Sequence, residues 1–355
     1  MPVRQVVQTF LVQAWNAHGA LARALWPASI VYAVVWSLRK RCYQWRLLRS
    51  EQVDAVVMVV GNVIAGGAGK TPTVIALVRH LQLQGRVVGV ISRGYRRKLD
   101  QCLEVMPQSR PNEVGDEPLL LQRALQVPVF VARNRHVAAA ALLAKYPQTQ
   151  IIVSDDGLQH YALYRDLEVC VFDDRGCGNG WLLPAGPLRE PWPRQPCTQA
   201  GQSDQRWLVL HTGHTPAFEG YQASRSLAEF AISGNGDAVS LESLHLVSPK
   251  PLLAMAGIGQ PESFFSMLRA KGVPLDRTVA LPDHYDFDSF SRNEYGRYSI
   301  ICTEKDALKL WALEPTAWAV PLTLEIPPAF FDALDSQLAE LFAARLSSAH
   351  GHQTT

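Results

Sequence analysis

Short, mostly apolar runs recur through the first half of the chain, at 56–60, 86–91, 127–131, 151–153 and 167–172, with Arg86 and Glu168 as their only charges. Runs of this length with no polar alternation predict strands buried on both faces, as in a parallel sheet covered by helices. Segments of helical character separate them at 73–84, at 119–124 and in an alanine-rich stretch after Arg135, so β and α units alternate. A stretch rich in Pro, Gln and Ser follows at 191–205, and β-type patterning returns at 207–210 and 223–231. A second alternating series then begins, with a strand from Pro251, a helix over 261–270, strands at 298–302 and 320–324, and a helix over 330–346. The pattern predicts an α/β protein. A P-loop NTPase-like domain with a mainly parallel sheet spans 51–195, a linker with β-structure 196–250, and a smaller α/β domain 251–346. Residues 347–355 are expected to be a disordered tail.

The first 50 residues break this pattern. No charge interrupts 24–38, which is shorter than the roughly 20 apolar residues of a spanning helix. Trp15, Trp26, Trp36 and Trp45 fall in this region, and Arg39-Lys40-Arg41 follows the apolar stretch directly. Aromatic rings and cations beside an apolar helix suit a segment lying in the interface of an anionic membrane. The alternative is a helical hairpin packed on the protein itself. There is no small-residue cleavage site of the secretory kind, so a removed signal peptide is not expected.

Charge sharpens the contrast. The whole chain carries a formal +2, yet seven of its 34 basic residues and none of its 32 acidic ones lie in the first 50 positions. The remainder is net acidic, which argues against a nucleic-acid partner, and no obligate protein partner is inferred. The six cysteines lack C-x-x-C spacing and are expected to be reduced thiols of a cytosolic compartment.

The first buried strand runs into Gly66-Gly67-Ala68-Gly69-Lys70-Thr71-Pro72. A strand, a glycine turn and a helix start place backbone N–H groups and the positive helix end at one spot, where phosphate binds. Lys70 adds a charge there, and the Thr71 hydroxyl is suited to Mg²⁺. The strict G-x-x-x-x-G-K-[ST] pattern fails at Ile64, so the loop by itself leaves ATPase, GTPase and kinase open. The strand at 151–153 ends in Asp155-Asp156, and an acid at the end of a neighbouring strand holds Mg²⁺ or its water in P-loop enzymes. The alternative is a helix cap or turn aspartate. Ser92-Arg93-Gly94-Tyr95-Arg96-Arg97-Lys98 follows the second strand, where sheet ligands bind. It either meets a substrate phosphate or is a solvated charge run.

Taken with Val114-Gly115-Asp116-Glu117-Pro118, Asp155-Asp156-Gly157-Leu158-Gln159-His160, Leu183-Pro184-Ala185-Gly186-Pro187-Leu188-Arg189-Glu190, Asp283-His284-Tyr285 and Thr303-Glu304-Lys305-Asp306, these motifs resemble the tetraacyldisaccharide 4′-kinases of lipid A biosynthesis over roughly residues 10 to 340. The one departure is Leu158, where the family has an aromatic residue or Met. The resemblance implies a two-domain kinase at the cytoplasmic face of the bacterial inner membrane, bound there by its N-terminal helix. It would transfer the ATP γ-phosphate to the 4′-hydroxyl of an acylated glucosamine disaccharide 1-phosphate. It further implies Lys70 and the loop from Gly66 to Gly69 on the nucleotide, with Mg²⁺ at Thr71, Asp155 and Asp156. Asp116 is then the base for the acceptor hydroxyl, and His284 orients it or shares its proton. Arg93, Tyr95 and Arg189 are substrate candidates, Arg189 holding a phosphate or a sugar oxygen. Glu190 joins the metal shell or a salt bridge. Asp306, after Lys305, is a candidate for an adenine contact. The rival functions are a membrane-bound P-loop ATPase switch without an acceptor and a kinase for a soluble metabolite.

Overall fold

The structure is a computed structural model that describes residue 15 and residues 17–95, 97–194, 206–248, 250–288 and 290–351. Helix α1 (Ala20–Gln44) precedes β1 (Val56–Gly61), α2 (Lys70–Leu83), β2 (Val88–Ser92), β3 (Leu103–Glu104), α3 (Asp116–Leu125), β4 (Val129–Val131), α4 (Arg135–Lys145), β5 (Ile151–Asp155) and β6 (Leu167–Phe172). Strands β7 (Arg206–His211) and β8 (Tyr221–Gln222) complete an eight-stranded sheet of order β3-β4-β2-β5-β1-β6-β7-β8. Every pairing in it is parallel except β3 with β4. The sheet is α/β as the apolar runs predict, because β1 buries all six of its residues. Val56, Met58 and Val60 share a core with Val74, Leu77, Val78 and Leu81 of α2. Val57 and Val59 face the other way, onto Ala138, Ala139 and Leu142 of α4. Each fully buried aliphatic side chain contributes about 1.5–3 kcal/mol, so the two faces hold the central strand rigidly beneath the glycine turn.

The second unit follows β9 (Ser224–Leu227), with β10 (Phe230–Ser233), β11 (Ala238–Ser240), β12 (Leu252–Ala256), α5 (Pro261–Ala270), β13 (Leu275–Ala280), β14 (Ser299–Thr303), α6 (Glu304–Leu310) and β15 (Trp318–Val320). Its sheet runs β11-β10-β15-β14-β12-β13, parallel from β15 to β13. Strand β16 (Leu322–Glu325) returns antiparallel to β9, so a two-stranded ribbon joins the units.

Three expected boundaries move. Within the expected linker at 196–250, β7 and β8 extend the first sheet, β10 and β11 extend the second, and β9 lies in the ribbon between them. The final helix α7 (Pro328–Gly351) does not close the second unit. Phe330, Leu334 and Leu338 pack in the first core, and Arg206 pairs with Glu340 at 2.9 Å. That helix continues through Gly351, into the expected tail, and residues 352–355 lie outside those described.

Helix α1 reconciles both readings of the N-terminus. Its inner side is hydrogen-bonded to the proline-rich loop: Ser29 Oγ donates to Leu182 O at 2.8 Å, Tyr32 Oη to Arg189 O at 2.8 Å, and Ala185 N to Ser29 Oγ at 2.9 Å. Its outer side leaves Ile30, Val31, Val34, Val35 and Leu38 in solvent, with Val31 65% exposed. The charges that end the uncharged stretch are inside the helix, which is 25 residues long and, by length and composition, apolar enough to cross a membrane.

Candidate active site

The glycine turn after β1 is held open by backbone geometry. Gly66 has φ +99° and Gly69 +80°, the left-handed region that disfavours a side chain. Gly69 caps α2, which starts at Lys70, three residues before the expected start at 73. Lys70 folds back over the turn, its Nζ 3.2 Å from Asn62 Oδ1 and 3.7 Å from Asp156. Asn62 in turn donates to Gly66 O at 3.0 Å. Leu158, the departure from the family motif, fills the space above Gly61: a Cβ there would lie 2.7 Å from Leu158 Cγ.

Arginines that the motif search passed over fasten the same turn. Arg175 donates to Ala65 O at 3.1 Å and to Gly67 O at 2.8 Å, and Asp173 holds it through both carboxylate oxygens. Thr212 Oγ1 donates to Ala68 O at 3.0 Å and accepts from Arg225 of the interdomain ribbon. Arg175 follows β6, which pairs with β1, so its position past the carboxyl end of a neighbouring strand was a usable signal. Arg225 carries no such local mark.

The two aspartates at the end of β5 have different surroundings. Asp156 sits at φ +48° and is 3.1 Å from Arg189 Nη1 and 3.7 Å from Lys70. Although burial pushes its carboxyl up, Lys70 and Arg189 outweigh that and hold it below the usual range. Asp155 is 1% exposed, and burial together with Glu117 and Asp156 pushes it up to about 7. Arg135, 4% exposed, donates to the backbone carbonyls of both residues at 3.2 Å. A buried carboxylate flanked by Glu117 and Asp156, with Lys70 of the glycine turn near enough to act on it, fits a divalent cation. Among the described residues no cluster of three or more His, Cys, Asp or Glu forms a metal cage. The donor set therefore suits Mg²⁺ held partly by nucleotide phosphates.

Asp116 opens α3 just after Gly115, whose φ is +96°. A Cβ at Gly115 would lie 3.0 Å from Gly94 Cα, so the loop that carries Arg93 and Tyr95 lies directly against it. From the second unit, His284 follows β13 in a left-handed conformation (φ +59°) and donates its backbone N–H to Gly257 O at 3.0 Å. Its Nδ1 reaches Asp116 Oδ2 at 3.1 Å, and Tyr95 packs edge-on to its ring at 5.4 Å. Lys309 of α6 lies 2.6 Å from the same Asp116 oxygen. Burial raises the Asp116 carboxyl, but hydrogen bonds from His284 and Lys309 bring it below its ordinary value. Asp116, His284 and Tyr95, predicted separately along the chain, thus meet at the junction of the two units.

Other predicted residues are placed differently. Glu190 is 2% exposed: Oε1 accepts from Gln159 at 2.8 Å and Oε2 from Tyr161 at 3.1 Å, and Arg194 forms an ion pair with Oε2 at 3.2 Å. These contacts are those of the salt-bridge alternative. It steadies Gln159, which also contacts Asn62 O at 3.2 Å and Arg189 at 3.4 Å. Asp306 is likewise buried, accepting from Gly257 N at 3.0 Å and Thr303 Oγ1 at 2.6 Å. It pins the β12 loop to the start of α6. A Cβ at Gly257 would meet it at 2.8 Å, which accounts for that glycine. In the basic loop, Arg97 donates to Gln101 O at 2.6 Å and Asp100 O at 3.1 Å, so it braces the loop; Arg96 is outside the described residues. Arg93 is exposed and close enough to act electrostatically on Arg135 and on His160, which burial and the surrounding arginines lower to about 4.

A family model for tetraacyldisaccharide-1-P 4′-kinase matches residues 21–339. The chain is 52% identical over 349 residues to the tetraacyldisaccharide 4′-kinase of Polaromonas naphthalenivorans (strain CJ2), covering 97% of this chain and 99% of that one. It is 56% identical over 330 residues to the enzyme of the same name from Acidovorax sp. (strain JS42), covering 92% and 94%. Among solved structures, the "apo" form of LpxK from Aquifex aeolicus in complex with ATP superposes with a TM-score of 0.73 at 25% identity, covering 91% of this chain and 99% of that chain. With the phosphate turn, the aspartate pair and the Asp116–His284 contact in one fold matched nearly end to end, the chain belongs to the tetraacyldisaccharide 4′-kinase family.

Proposed function

We infer that this protein is an ATP-dependent kinase that phosphorylates the 4′-hydroxyl of a tetraacylated glucosamine disaccharide 1-phosphate, completing lipid IVA. The observation that carries the acceptor chemistry is the contact between Asp116 of the first unit and His284 of the second. An ATPase switch needs the phosphate turn but has no use for a base completed by a second domain.

Phosphoryl transfer is mostly positioning and charge stabilisation. The backbone N–H groups from Gly66 to Gly69 and the Lys70 ammonium receive the β- and γ-phosphates. To do so Lys70 exchanges its Asn62 and Asp156 contacts for phosphate oxygens. Thr71 and Asp155 would hold Mg²⁺, which when bound neutralises charge building on the phosphate oxygens. Asp156 keeps Arg189 in place. Asp116 accepts the proton of the attacking hydroxyl, and His284 orients it. Arg93, Tyr95 and Arg189 line the acceptor's approach as hydrogen-bond donors suited to sugar and phosphate oxygens. The exposed apolar stripe of α1, with Arg39 and Arg41 exposed beside it and Lys40 turned into the protein, lies in the cytoplasmic leaflet's interface, where the acylated acceptor resides.

Purified protein incubated with Mg-ATP and a detergent-solubilised acylated disaccharide 1-phosphate tests this reading. Phosphate on the 4′-oxygen is the expected result. ADP release that is independent of the acceptor, with no phosphorylated lipid, overturns it.

A further inference from the structure

We propose that Lys309 is a positioning residue for the phosphoryl transfer, holding the Asp116 carboxylate by one oxygen so that the other takes the acceptor's proton. The proposal rests on the kinase reading above. Lys309 lies on α6 of the second unit, and its Nζ is anchored twice, 2.6 Å from Asp116 Oδ2 and 3.0 Å from Tyr285 O. The Lys309 and Asp116 side chains are 15% and 9% exposed, so this is not a screened surface pair. Breaking such a pair leaves a buried charge without its partner.

A second lysine settles what His284 does beside it. Lys305, one turn earlier on α6, has its Nζ 3.1 Å from His284 Nε2. An ammonium offers only donors, so Nε2 accepts and the imidazole proton sits on Nδ1, aimed at Asp116. Two donors from the second unit, Lys309 Nζ and His284 Nδ1, therefore converge on the single oxygen Oδ2. Among the described residues, Asp283 lies 3.3 Å from Lys305 and 3.9 Å from His284, and Glu117 3.7 Å from Lys305; Tyr95 packs edge-on to the imidazole ring.

In the reaction the acceptor's O–H bond breaks and its oxygen bonds to the γ-phosphorus. The bond from that phosphorus to the bridging oxygen of ADP breaks, and the proton passes to Asp116 Oδ1. Lys309 keeps the carboxylate ionised and turned for this transfer. It also ties the base to the second domain, so the site is complete only when the two units are together.

The test is the pH dependence of kcat for wild type, Lys309→Met and Lys309→Arg with the acylated acceptor. Without the ammonium, burial acts on Asp116 unopposed by that charge. The acid limb of the Lys309→Met profile should then move up by about one unit or more. The loss is deepest at acid pH and shrinks toward alkaline pH, KM for ATP is unchanged, and Lys309→Arg restores the limb. An equal loss of kcat at every pH, or no loss, overturns the proposal. If Lys309→Met fails to fold by thermal melting, Lys309→Gln takes its place, since its neutral amide can still reach Oδ2 and the same shift is expected. A wild type that does not phosphorylate the acceptor sinks the kinase reading itself; an active wild type with an unmoved limb in the variant sinks only the role of Lys309.

Discussion

Asp155 and Asp156 are adjacent in sequence and differ in charge environment. Asp156 is matched by Lys70 and Arg189, whereas Asp155 is enclosed with Glu117 and Asp156 as unfavourable neighbours. Its folded pKa is about 7, above the unfolded value of 3.8, so the folded state binds the extra proton between those limits. Stability from this group is present at low pH and is lost as pH rises through about 7. Asp155→Asn should therefore raise the melting temperature of cation-free protein by about 2–4 °C at pH 8. The gain should fade as pH falls toward 4, and activity with Mg-ATP should collapse. Melting curves across that range check it; a destabilised variant at pH 8 would show that Asp155 carries no such strain. The motif Asp-Asp was plain in the sequence. The division of labour was not, because Lys70 and Arg189 arrive from distant positions.

At the level of elements, the legible parts were those whose signal is local. The apolar runs at 56–60, 151–153 and 167–172 became β1, β5 and β6, because a strand buried on both faces leaves no polar alternation. The short strands β3, β8 and β11 were missed; two or three residues carry no periodicity. Helix α1 was only half legible. Its composition predicted an interfacial helix, but which side meets the body depends on Ser29 and Tyr32 finding carbonyls in the loop around Leu182 and Arg189. Val31 and Val35 lie on the outer side. Each contributes about 1.5 kcal/mol when buried in lipid. The double variant Val31→Glu/Val35→Glu should lower co-sedimentation with anionic vesicles at least about tenfold. Its melting temperature should stay near wild type, and undiminished binding would move the membrane contact elsewhere.

The whole molecule behaves as two α/β units whose ligand-facing edges meet. The first residue of α3 is Asp116, and the β13 loop and α6 supply His284 and Lys309, so the proposed base is assembled from both units. Helix α7 reinforces that arrangement by returning from the second unit to the first core. Asp116→Asn keeps the shape of the side chain while removing the proton acceptor. It should lower kcat by about 10²–10⁴-fold while leaving the ATP dissociation constant within about threefold. Stopped-assay turnover and equilibrium nucleotide binding measure the two separately, and near-normal turnover removes Asp116 as the base.

Local chemistry determined the phosphate turn, the strand-end aspartates, the α/β alternation and, through motifs in order, the family. Those properties follow from glycine's conformational range, strand burial and the donor geometry of a helix start, all set within a few residues. Tertiary structure alone decided which charges meet. It gave Glu190 and Asp306 their buried partners, brought Arg175 and Arg225 onto the phosphate turn, and set Lys309 against Asp116 across the domain junction. Contacts between residues more than a hundred positions apart depend on how sheets and helices pack, and no spacing in the chain encodes them directly.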